Sequence, residues 1–230
     1  MFDDNDKKIK VLYEDNHLIA VYKPAGIPAQ KGGRGISLDV MVKDYLKSKY
    51  KKPGNVFLGL VHRIDQPVSG AMLFAKTSKG ASRISEQFRD REIGKKYRAI
   101  LIGKFKEKKG LLKSKMIKMD RGGYHKAEVV PFGSSSDNSK EATLEYRVIK
   151  ESAKNSLVEI KLGTGRFHQI RAQFASLGHP VLGDTKYGSL IILPEGKIAL
   201  HSSGITFKSA TGDKDIEVVA PEPEYFKEIL

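Results

Sequence analysis

Short strand-like segments, separated by turn residues, dominate the chain and constrain its fold more than any other feature. Residues 11–13 and 18–22 flank the polar segment 14–17, which predicts a β-hairpin. Further apolar segments of strand length lie at 57–61, 72–75, 97–102, 142–148, 157–162, 205–207 and 216–219. Because short turns join many neighbouring segments, the pattern predicts an α+β fold with a mostly antiparallel mixed sheet.

Three helices are predicted to flank the sheet. One begins after Ser37, one begins at Thr77 or Ser78, and one begins near Arg166 and ends before Gly178. Their inward-facing residues are predicted to be Leu38, Met41, Val42, Tyr45 and Leu46 in the first helix, Ala81, Ile84 and Phe88 in the second, and Phe167, Ile170, Phe174 and Leu177 in the third. Since no internal repeat or linker is evident, residues 1–230 are predicted to form a single domain.

The chain is strongly basic, with 41 Lys and Arg residues against 27 Asp and Glu residues and a formal net charge of +14. Such an excess favours polyanionic partners, with nucleic acid ahead of acidic membrane surfaces. From Lys104 to Lys118 the chain holds seven lysines and one acid, Glu107. A solvated face is the ordinary explanation, but the density of lysines and the interruption at Gly110 favour phosphate contact over a membrane helix. Residues 103–132 are therefore predicted to form a basic excursion loop from the core.

Several classes of protein are excluded by the composition. The chain has no cysteine, which excludes disulfides, thiolate catalysis and cysteine zinc sites. Its six histidines lack the spacing of a metal-binding helix, and Ser69 does not lie in a nucleophile elbow. The acidic N-terminus resembles no signal peptide, and no apolar stretch approaches the ~18 residues of a membrane span. We therefore expect a soluble, cytoplasmic protein that binds no metal.

The segment 62–70 places one carboxylate, Asp65, two residues after Arg63 and between two short apolar segments. Pro67 and Gly70 mark a turn before the second of these segments. Such an arrangement can hold an acid in one fixed geometry among cationic neighbours. An aspartate that satisfies its own turn backbone is the commoner outcome of Asp-x-Pro spacing, and the spacing alone favours it. The remainder of the chain has to decide between the two.

A second dense cluster of candidate residues occupies 163–171. Glycines before the start of a helix allow backbone N–H groups to point at an anion, and Arg166 and Arg171 add positive charge. His168 and Arg171, three residues apart, are predicted to share a helix face from which the arginine can pair with a carboxylate on another element. A glycine turn with ordinary surface cations is the alternative, and the whole cluster favours a functional role.

Tyr97 begins a predicted strand among cations, in the sequence Lys95-Lys96-Tyr97-Arg98. One explanation is an amphipathic tyrosine at the edge of a sheet. The functional alternative is a platform on which a base stacks in a basic groove.

Taken together, these motifs resemble the RluA-type pseudouridine synthases along nearly the whole chain. The segments 14–15 and 21–28 look like the first motif of the family, 62–70 like its catalytic motif, and 165–171 with 178–184 like its third motif; 200–201 also fits. Tyr97 falls where the family places its stacking tyrosine. The sequence departs from the family at Val68, where many members have threonine, and at Phe167, where a small residue is common. Because the first motif begins almost at once, we expect a member without the small N-terminal RNA-binding module.

The resemblance implies an isomerase that converts uridine into pseudouridine within structured ribosomal or transfer RNA, without cofactor or metal. Asp65 would be the essential carboxylate, as nucleophile or as base, and Arg171 would be its salt-bridge partner. Tyr97 would stack on the target base and could relay a proton. Base flipping is expected, because the uridine must leave its helix to reach the acid, and Arg63 could fill the vacated stack or grip a phosphate. Further residues expected to bind RNA are His62, Arg166, His168, Gln169, Lys23, Lys104, Lys106, Lys108 and Lys109.

Two other classes of protein stay open at this point. A catalytically silent RNA-binding protein could share the fold, although the intact Asp65 argues against it. A hydrolase of nucleosides or glycosides usually needs a second carboxylate beside the first, and none stands out near Asp65 in the motifs. A monomer is the default expectation for the oligomeric state.

Overall fold

The computed structural model describes residues 9–32, 35–131, 138–212 and 214–230. The chain divides into two compact units. Unit 1 contains Met1–Ile93 and Ser202–Pro221, and unit 2 contains Gly94–His201 and Glu222–Leu230.

Unit 1 is built on a sheet whose paired strands are mostly antiparallel. Its elements are β1 (Val11–Glu14), β2 (Leu18–Lys23), α1 (Leu38–Lys49), β3 (Gly59–Leu60), β4 (Ser69–Ala75), α2 (Ser78–Arg89), most of β10 (Leu200–Lys208) and β11 (Asp215–Val219). The strand order is β1-β2-β4-β10, with β3 paired to β4 and β11 paired to β10. The predicted hairpin of β1 and β2 is confirmed, with the two strands antiparallel.

Strand β4 lies in the middle of this sheet and positions the loop that precedes it. All seven of its residues are buried, and six of them are apolar or glycine. A near-continuous run of this kind is typical of a strand that is covered on both faces. Ala71, Leu73 and Ala75 of β4 join apolar side chains of β2, α2, β10 and β11 in one core cluster.

Both helices of unit 1 begin where the sequence predicts them. Thr77 caps α2, because its side-chain oxygen accepts a hydrogen bond from the backbone N–H of Gly80 at 3.1 Å. In α1, the predicted core residues are buried except Tyr45, which is only partly buried.

Unit 2 is an antiparallel sheet in the order β5-β9-β8-β6-β7. Its elements are β5 (Gly94–Ile102), β6 (Lys109–Arg121), β7 (Tyr124–Val130), β8 (Lys140–Glu151), β9 (Asn155–Leu162), α3 (Gln169–Ser176), two short 3-10 turns (Thr185–Tyr187 and Pro194–Gly196) and α4 (Glu224–Ile229). Buried residues of β6, β7, β8 and α3 form a small core cluster together with Tyr187. This packing fixes α3 against the sheet.

The third predicted helix is shorter than expected. It begins at Gln169 instead of Arg166, because His168 adopts the left-handed conformation with φ 50°, which cannot continue a right-handed helix. The predictions that Phe167 and Leu177 face the core are therefore wrong, and these side chains are 38% and 50% exposed. Gly178 follows the helix with φ +80°, as its predicted end requires.

The basic segment 103–132 is a pair of strands where a loop was expected, although Phe132 lies outside the described residues. Strand β6 pairs with β7 along one part of its length and with β8 along another. Lys109, Lys113 and Lys115 occupy alternate, exposed positions of β6 and therefore lie on one face of the sheet.

Within the described residues, no helix combines the length and the apolar character needed to cross a membrane.

Candidate active site

Asp65 lies in the loop between β3 and β4, within a turn closed by the hydrogen bond from the Val68 N–H to the Asp65 carbonyl at 3.1 Å. The flanking Ile64 and Val68 are buried, with 6% and 2% exposure, whereas Asp65 itself is half-buried. Two apolar anchors therefore hold the backbone of the turn, while Asp65 between them is only partly buried. Such support is what a fixed functional acid needs.

Lys23 anchors the same turn through hydrogen bonds to backbone carbonyls. Its side chain is completely buried at the end of β2, and its Nζ donates to the carbonyls of Pro24 (2.9 Å), Ile27 (2.8 Å) and Gln66 (2.9 Å). All three ammonium protons are therefore used. Burial lowers the pKa of Lys23 to about 7, while the charge of Asp65 acts in the opposite direction.

Lys23 is fully buried and its ammonium group has three carbonyl acceptors, so it offers no surface to a ligand in this structure, and RNA binding by Lys23 stays a prediction. Its position instead makes it a structural support. One of its acceptors is the carbonyl of Gln66, the residue that follows Asp65.

Gln66 ties the turn to the loop after β2 a second time. Its carbonyl accepts from the N–H of Gly26 at 2.8 Å, and its side-chain Nε2 donates to the Gly26 carbonyl at 2.9 Å. The first and second sequence motifs thus meet through backbone groups, and the residue beside Asp65 is held from two directions.

Gly70 is the second residue of β4, the strand that follows the turn, and it permits a close approach of two backbones. Its φ is +123°, and a Cβ at this position would lie 2.2 Å from the carbonyl oxygen of Ser202. Ser202 also donates through Oγ to the carbonyl of Ala71 at 3.1 Å. Only glycine fits there, because any side chain would collide with β10.

His62 and Arg63 precede the acid and differ in their surroundings. Nε2 of His62 accepts from the N–H of Leu73 at 2.9 Å, and its ring lies against Phe88 with centroids 5.1 Å apart. These contacts support the loop, and RNA binding by His62 stays a prediction. Arg63 is exposed, as a residue that contacts RNA needs to be.

Tyr97 lies in β5 of unit 2, opposite Ile160 of β9, and is 9% exposed. It thus belongs to the packed sheet, with only a small part of its surface exposed. Its roles in stacking and proton transfer stay predictions.

Arg171 of α3 forms a buried ion pair with Asp184. Its Nε lies 2.6 Å from Oδ2 and its Nη2 lies 2.9 Å from Oδ1, a bidentate geometry. The two side chains are 5% and 1% exposed. Sequence reasoning did not assign Asp184 a role, although a buried arginine requires an anionic partner and this aspartate lies in the third motif.

Tyr187 lies beside this ion pair and is itself held by two groups. The Arg171 guanidinium carbon is 5.0 Å from the centroid of its ring. Its hydroxyl accepts from the N–H of Ala127 at 2.8 Å and lies 3.0 Å from Nδ1 of His168. His168 also stacks on Phe167, with ring centroids 3.8 Å apart. The predicted common helix face of His168 and Arg171 is wrong, because His168 precedes the helix.

Gln169 is part of a buried polar network. Its Oε1 accepts from Thr164 Oγ1 (2.7 Å) and from the Arg166 N–H (3.0 Å), and its Nε2 donates to the Thr143 carbonyl (3.0 Å) and to Gln173 Oε1 (3.0 Å). All four hydrogen-bonding positions of the amide are occupied, and the residue is 3% exposed. These hydrogen bonds fix the start of α3, and RNA binding by Gln169 stays a prediction.

The remaining predicted cations lie at or near the surface of unit 2. Arg166 is half-buried and donates through Nε to the carbonyl of Glu141 at 2.9 Å. Lys108 pairs with Glu151 at 2.6 Å and donates to the carbonyl of Phe105. Lys104, Lys106 and Lys109 are exposed.

The two units carry different kinds of functional group. Unit 1 presents a carboxylate on a braced turn, and unit 2 holds a buried arginine, two tyrosines and exposed cations. In the described parts of the chain, no group of three or more histidine, aspartate or glutamate side chains is arranged to hold a metal ion.

Comparison with known proteins places this arrangement in a family. The family model described as RNA pseudouridylate synthase matches residues 17–176, a range that includes Asp65, Tyr97 and Arg171. Ribosomal large subunit pseudouridine synthase C of Rickettsia typhi is 34% identical over 221 residues, which cover 94% of this chain and 69% of the relative. An uncharacterised RNA pseudouridine synthase of Bacillus subtilis is 34% identical over 228 residues, which cover 96% of this chain and 71% of the relative.

A solved structure shows the same fold. Human RNA pseudouridylate synthase domain containing 4 superposes with a TM-score of 0.78 at 23% identity and covers 95% of this chain and 90% of its own. The predicted α+β fold and the resemblance to the RluA-type enzymes are confirmed. The chain therefore belongs to the RNA pseudouridylate synthase family, and it is an isomerase that forms pseudouridine in RNA.

Proposed function

We propose that this enzyme modifies uridine in the RNA of the large ribosomal subunit and that Asp65 is its essential carboxylate. The observation that carries the role of Asp65 is its braced turn, in which Lys23 and Gly26 hold the adjacent Gln66 while Asp65 itself is only partly buried. The choice of ribosomal RNA rests on the names of relatives such as the synthase C of Rickettsia typhi.

The reaction breaks the bond from ribose C1′ to uracil N1, turns the base and joins C5 to C1′. The proton on C5 is lost and N1 gains one, so the conversion is an isomerisation. Asp65 acts in its ionised form, either as a nucleophile or as a base towards the sugar. A carboxylate held in a fixed position lowers the activation barrier more than a mobile one, because it need not reorganise when charge develops in the transition state.

Arg171 is proposed to hold Asp65 ionised and oriented. A guanidinium carries five N–H groups, and Asp184 accepts two of them in its bidentate contact. Asp184 and Tyr187 would then be positioning residues, since they fix the plane of the guanidinium without touching the substrate.

Tyr97 is proposed to stack on the flipped uracil, and the exposed Arg63 to contact the RNA that the base has left. Neither role requires a cofactor. The exposed lysines of the segment 104–115 are proposed to bind the RNA backbone, because Lys109, Lys113 and Lys115 lie on one face of β6 and the chain carries a net charge of +14.

We further propose that the enzyme acts in the cytoplasm as a monomer. A substrate in transfer RNA is the alternative to ribosomal RNA, and the experiment that follows distinguishes them.

The test uses RNA from a strain that lacks the gene. Total RNA is incubated with the wild-type protein, with Asp65→Asn, and with Asp44→Asn as a matched control on the exposed face of α1. Pseudouridine is then mapped at single-nucleotide resolution in ribosomal and transfer RNA. We expect the wild type and Asp44→Asn to modify the same uridine in large-subunit RNA, and Asp65→Asn to modify none.

Modification by Asp65→Asn at the wild-type rate would overturn the role of Asp65. Modification confined to transfer RNA would overturn the choice of substrate. RNA binding without modification by the wild type would favour a silent RNA-binding protein, and free uracil as product would favour a hydrolase.

A further inference from the structure

Lys95 is the second residue of strand β5, and this cation is half-buried. Its Nζ lies against Gly165, where a Cβ would come within 3.0 Å of it. Strand β9 pairs with β5 at Lys161 opposite Lys96 and ends at Leu162. The loop 163–166 therefore begins beside Lys95.

No acid neutralises this lysine within the described parts of the chain, and its ammonium group has no hydrogen bond there either. The charge that acts on it is instead that of another cation, Arg166. Burial lowers the pKa of Lys95, and the charge of Arg166 lowers it further. Two positive groups held together without a counter-ion cost free energy in the unbound protein, which an anionic ligand would recover.

Arg166 is fixed but not saturated. Its Nε donates to the carbonyl of Glu141 at 2.9 Å, which orients the guanidinium and leaves its terminal nitrogens available. The backbone N–H of Gly165 also donates to no acceptor in the part of the chain that the structure describes. Gly165 is exposed, and Lys95 Nζ lies on the side where a side chain would project.

We propose that Lys95, Arg166 and the backbone N–H of Gly165 bind one phosphate of the RNA backbone, adjacent to the target uridine. This proposal rests on the proposed function and names a specific contact for it. A lysine beside an arginine and a glycine N–H is a donor set that suits a phosphate oxygen from three directions.

The position of Tyr97 supports a phosphate next to the reacting nucleotide. Residues two apart in a strand point to the same face, so Lys95 and Tyr97 lie on one face of β5, separated by about 7 Å along the strand. A base that stacks on Tyr97 would thus have its own sugar–phosphate within reach of Lys95. By binding one phosphate, the site would fix the position of the RNA strand and thereby determine which uridine reaches Tyr97.

The first test measures binding of a single-stranded decamer of uridylate as a function of salt. It compares the wild type with Lys95→Met, Lys95→Arg and a matched control, Lys154→Met. Lys154 is an exposed lysine that precedes Asn155, the far end of the same β5–β9 pairing. Each phosphate contact contributes about 0.7 to the slope of log Kd against log salt for single strands.

We expect Lys95→Met to weaken binding about tenfold at low salt and to reduce the slope by about 0.7. Lys95→Arg and Lys154→Met should keep the wild-type slope. A thermal melt separates this role from a structural one, because loss of an uncompensated cation should leave the Tm unchanged or raise it. An unchanged slope in Lys95→Met, or a lowered Tm with loss of binding that Lys95→Arg does not rescue, would overturn the proposal.

The second test identifies the phosphate in a short RNA that carries the mapped uridine. Methylphosphonate is placed on the 5′ or the 3′ side of that uridine, and binding is measured with the Asp65→Asn variant to prevent turnover. Neutralising the contacted phosphate should weaken binding in the Lys95 background but not in a Lys95→Met background. Equal losses in both backgrounds would contradict the assignment. Neither binding readout depends on Asp65 chemistry, so failure of the catalytic assignment is seen separately, as activity retained by Asp65→Asn.

Discussion

The guanidinium of Arg171 and the carboxylate of Asp184 form a bidentate pair with both side chains almost fully buried, at N–O distances of 2.6 and 2.9 Å. The pair links α3 to the segment after it, because Asp184 also accepts backbone N–H groups from Tyr187 and Ser189 through its carbonyl. Arg171 is proposed to bind a second carboxylate, that of Asp65. The contact with Asp184 fixes the plane and the orientation of its guanidinium group. The orientation of Arg171 depends on a residue thirteen positions away in the sequence.

Replacing Asp184 with asparagine should destabilise the protein strongly. The substitution keeps the shape of the side chain but leaves the Arg171 charge buried without its partner, which costs about 3–5 kcal/mol of unfolding free energy. Pseudouridine formation should also fall, because the guanidinium loses its orientation. Urea unfolding and the RNA assay measure the two effects, with Asp215→Asn on the exposed face of β11 as control. Equal unfolding free energies for Asp184→Asn and wild type would contradict this reading of the pair.

Gly70→Ala tests the close approach between β4 and β10. The backbone conformation at φ +123° strains any L side chain, and the new Cβ would lie 2.2 Å from the Ser202 carbonyl oxygen. We expect a loss of at least about 3 kcal/mol in unfolding free energy, since strain and collision act together. Gly54→Ala is the matched control, because nothing lies within 4 Å of a Cβ at that position. The idea fails if both variants unfold at the same urea concentration.

Glu14 joins three elements of unit 1 through Lys49, Lys76 and Tyr50, each at 2.7 Å. Burial raises the pKa of Glu14, but hydrogen bonds from Lys49, Lys76 and Tyr50 outweigh it and lower the pKa to about 2. A carboxylate whose pKa is lowered by folding stabilises the folded state fully at pH values above its ordinary pKa. This stabilisation is lost as the pH falls towards the lowered pKa of the folded state.

The free energy of unfolding of the wild type should therefore exceed that of Glu14→Gln by about 2 kcal/mol at pH 6, with a difference that shrinks as the pH falls from about 4.5 towards 2. Urea unfolding at several values between pH 3 and pH 6 measures this difference. Glu86→Gln, in an exposed pair with Arg83, should show no such trend. A difference that is constant with pH would count against the network.

Local patterns were sufficient to predict several parts of the fold. The β1–β2 hairpin follows from a polar turn between apolar segments, and α2 begins directly after Thr77, whose side chain caps the helix. The lysine-rich sequence of β6 was expected as a loop, because its lysines are dense and Gly110 interrupts it. Lysine also has a low preference for strands. Pairing on both sides of β6 outweighs that preference.

The roles of several motif residues could not be predicted locally, because their partners are distant in sequence. Lys23 meets the carbonyl of Gln66, 43 positions away, and Gln169 meets the carbonyl of Thr143, 26 positions away. Both looked like residues that contact RNA, since they are polar and lie in motifs. Only the packed structure shows that they are buried and satisfied, and that their contribution is to position neighbouring residues.

Lys23→Met should reveal the buried ammonium group through the pH dependence of stability. The pKa of Lys23 is about 7 in the folded protein, against an ordinary value of 10.5, because burial disfavours the charged form. Between these two values the unfolded chain binds a proton that the folded chain lacks, so stability rises with pH. The contribution of Lys23 is complete above pH 10.5 and is lost as the pH falls through 7.

We therefore expect the unfolding free energy of the wild type, relative to Lys23→Met, to increase with pH between 7 and 9, with a slope of up to about 1.4 kcal/mol per pH unit. Urea unfolding at pH 7, 8 and 9 measures it, and the exposed Lys10→Met serves as control. Pseudouridine formation by Lys23→Met should fall as well, because the carbonyl of Gln66 loses a donor and the turn that presents Asp65 is less well held. Parallel stability curves for Lys23→Met and wild type would show that the ammonium group keeps its charge throughout this range, since its three carbonyl acceptors would then outweigh its burial.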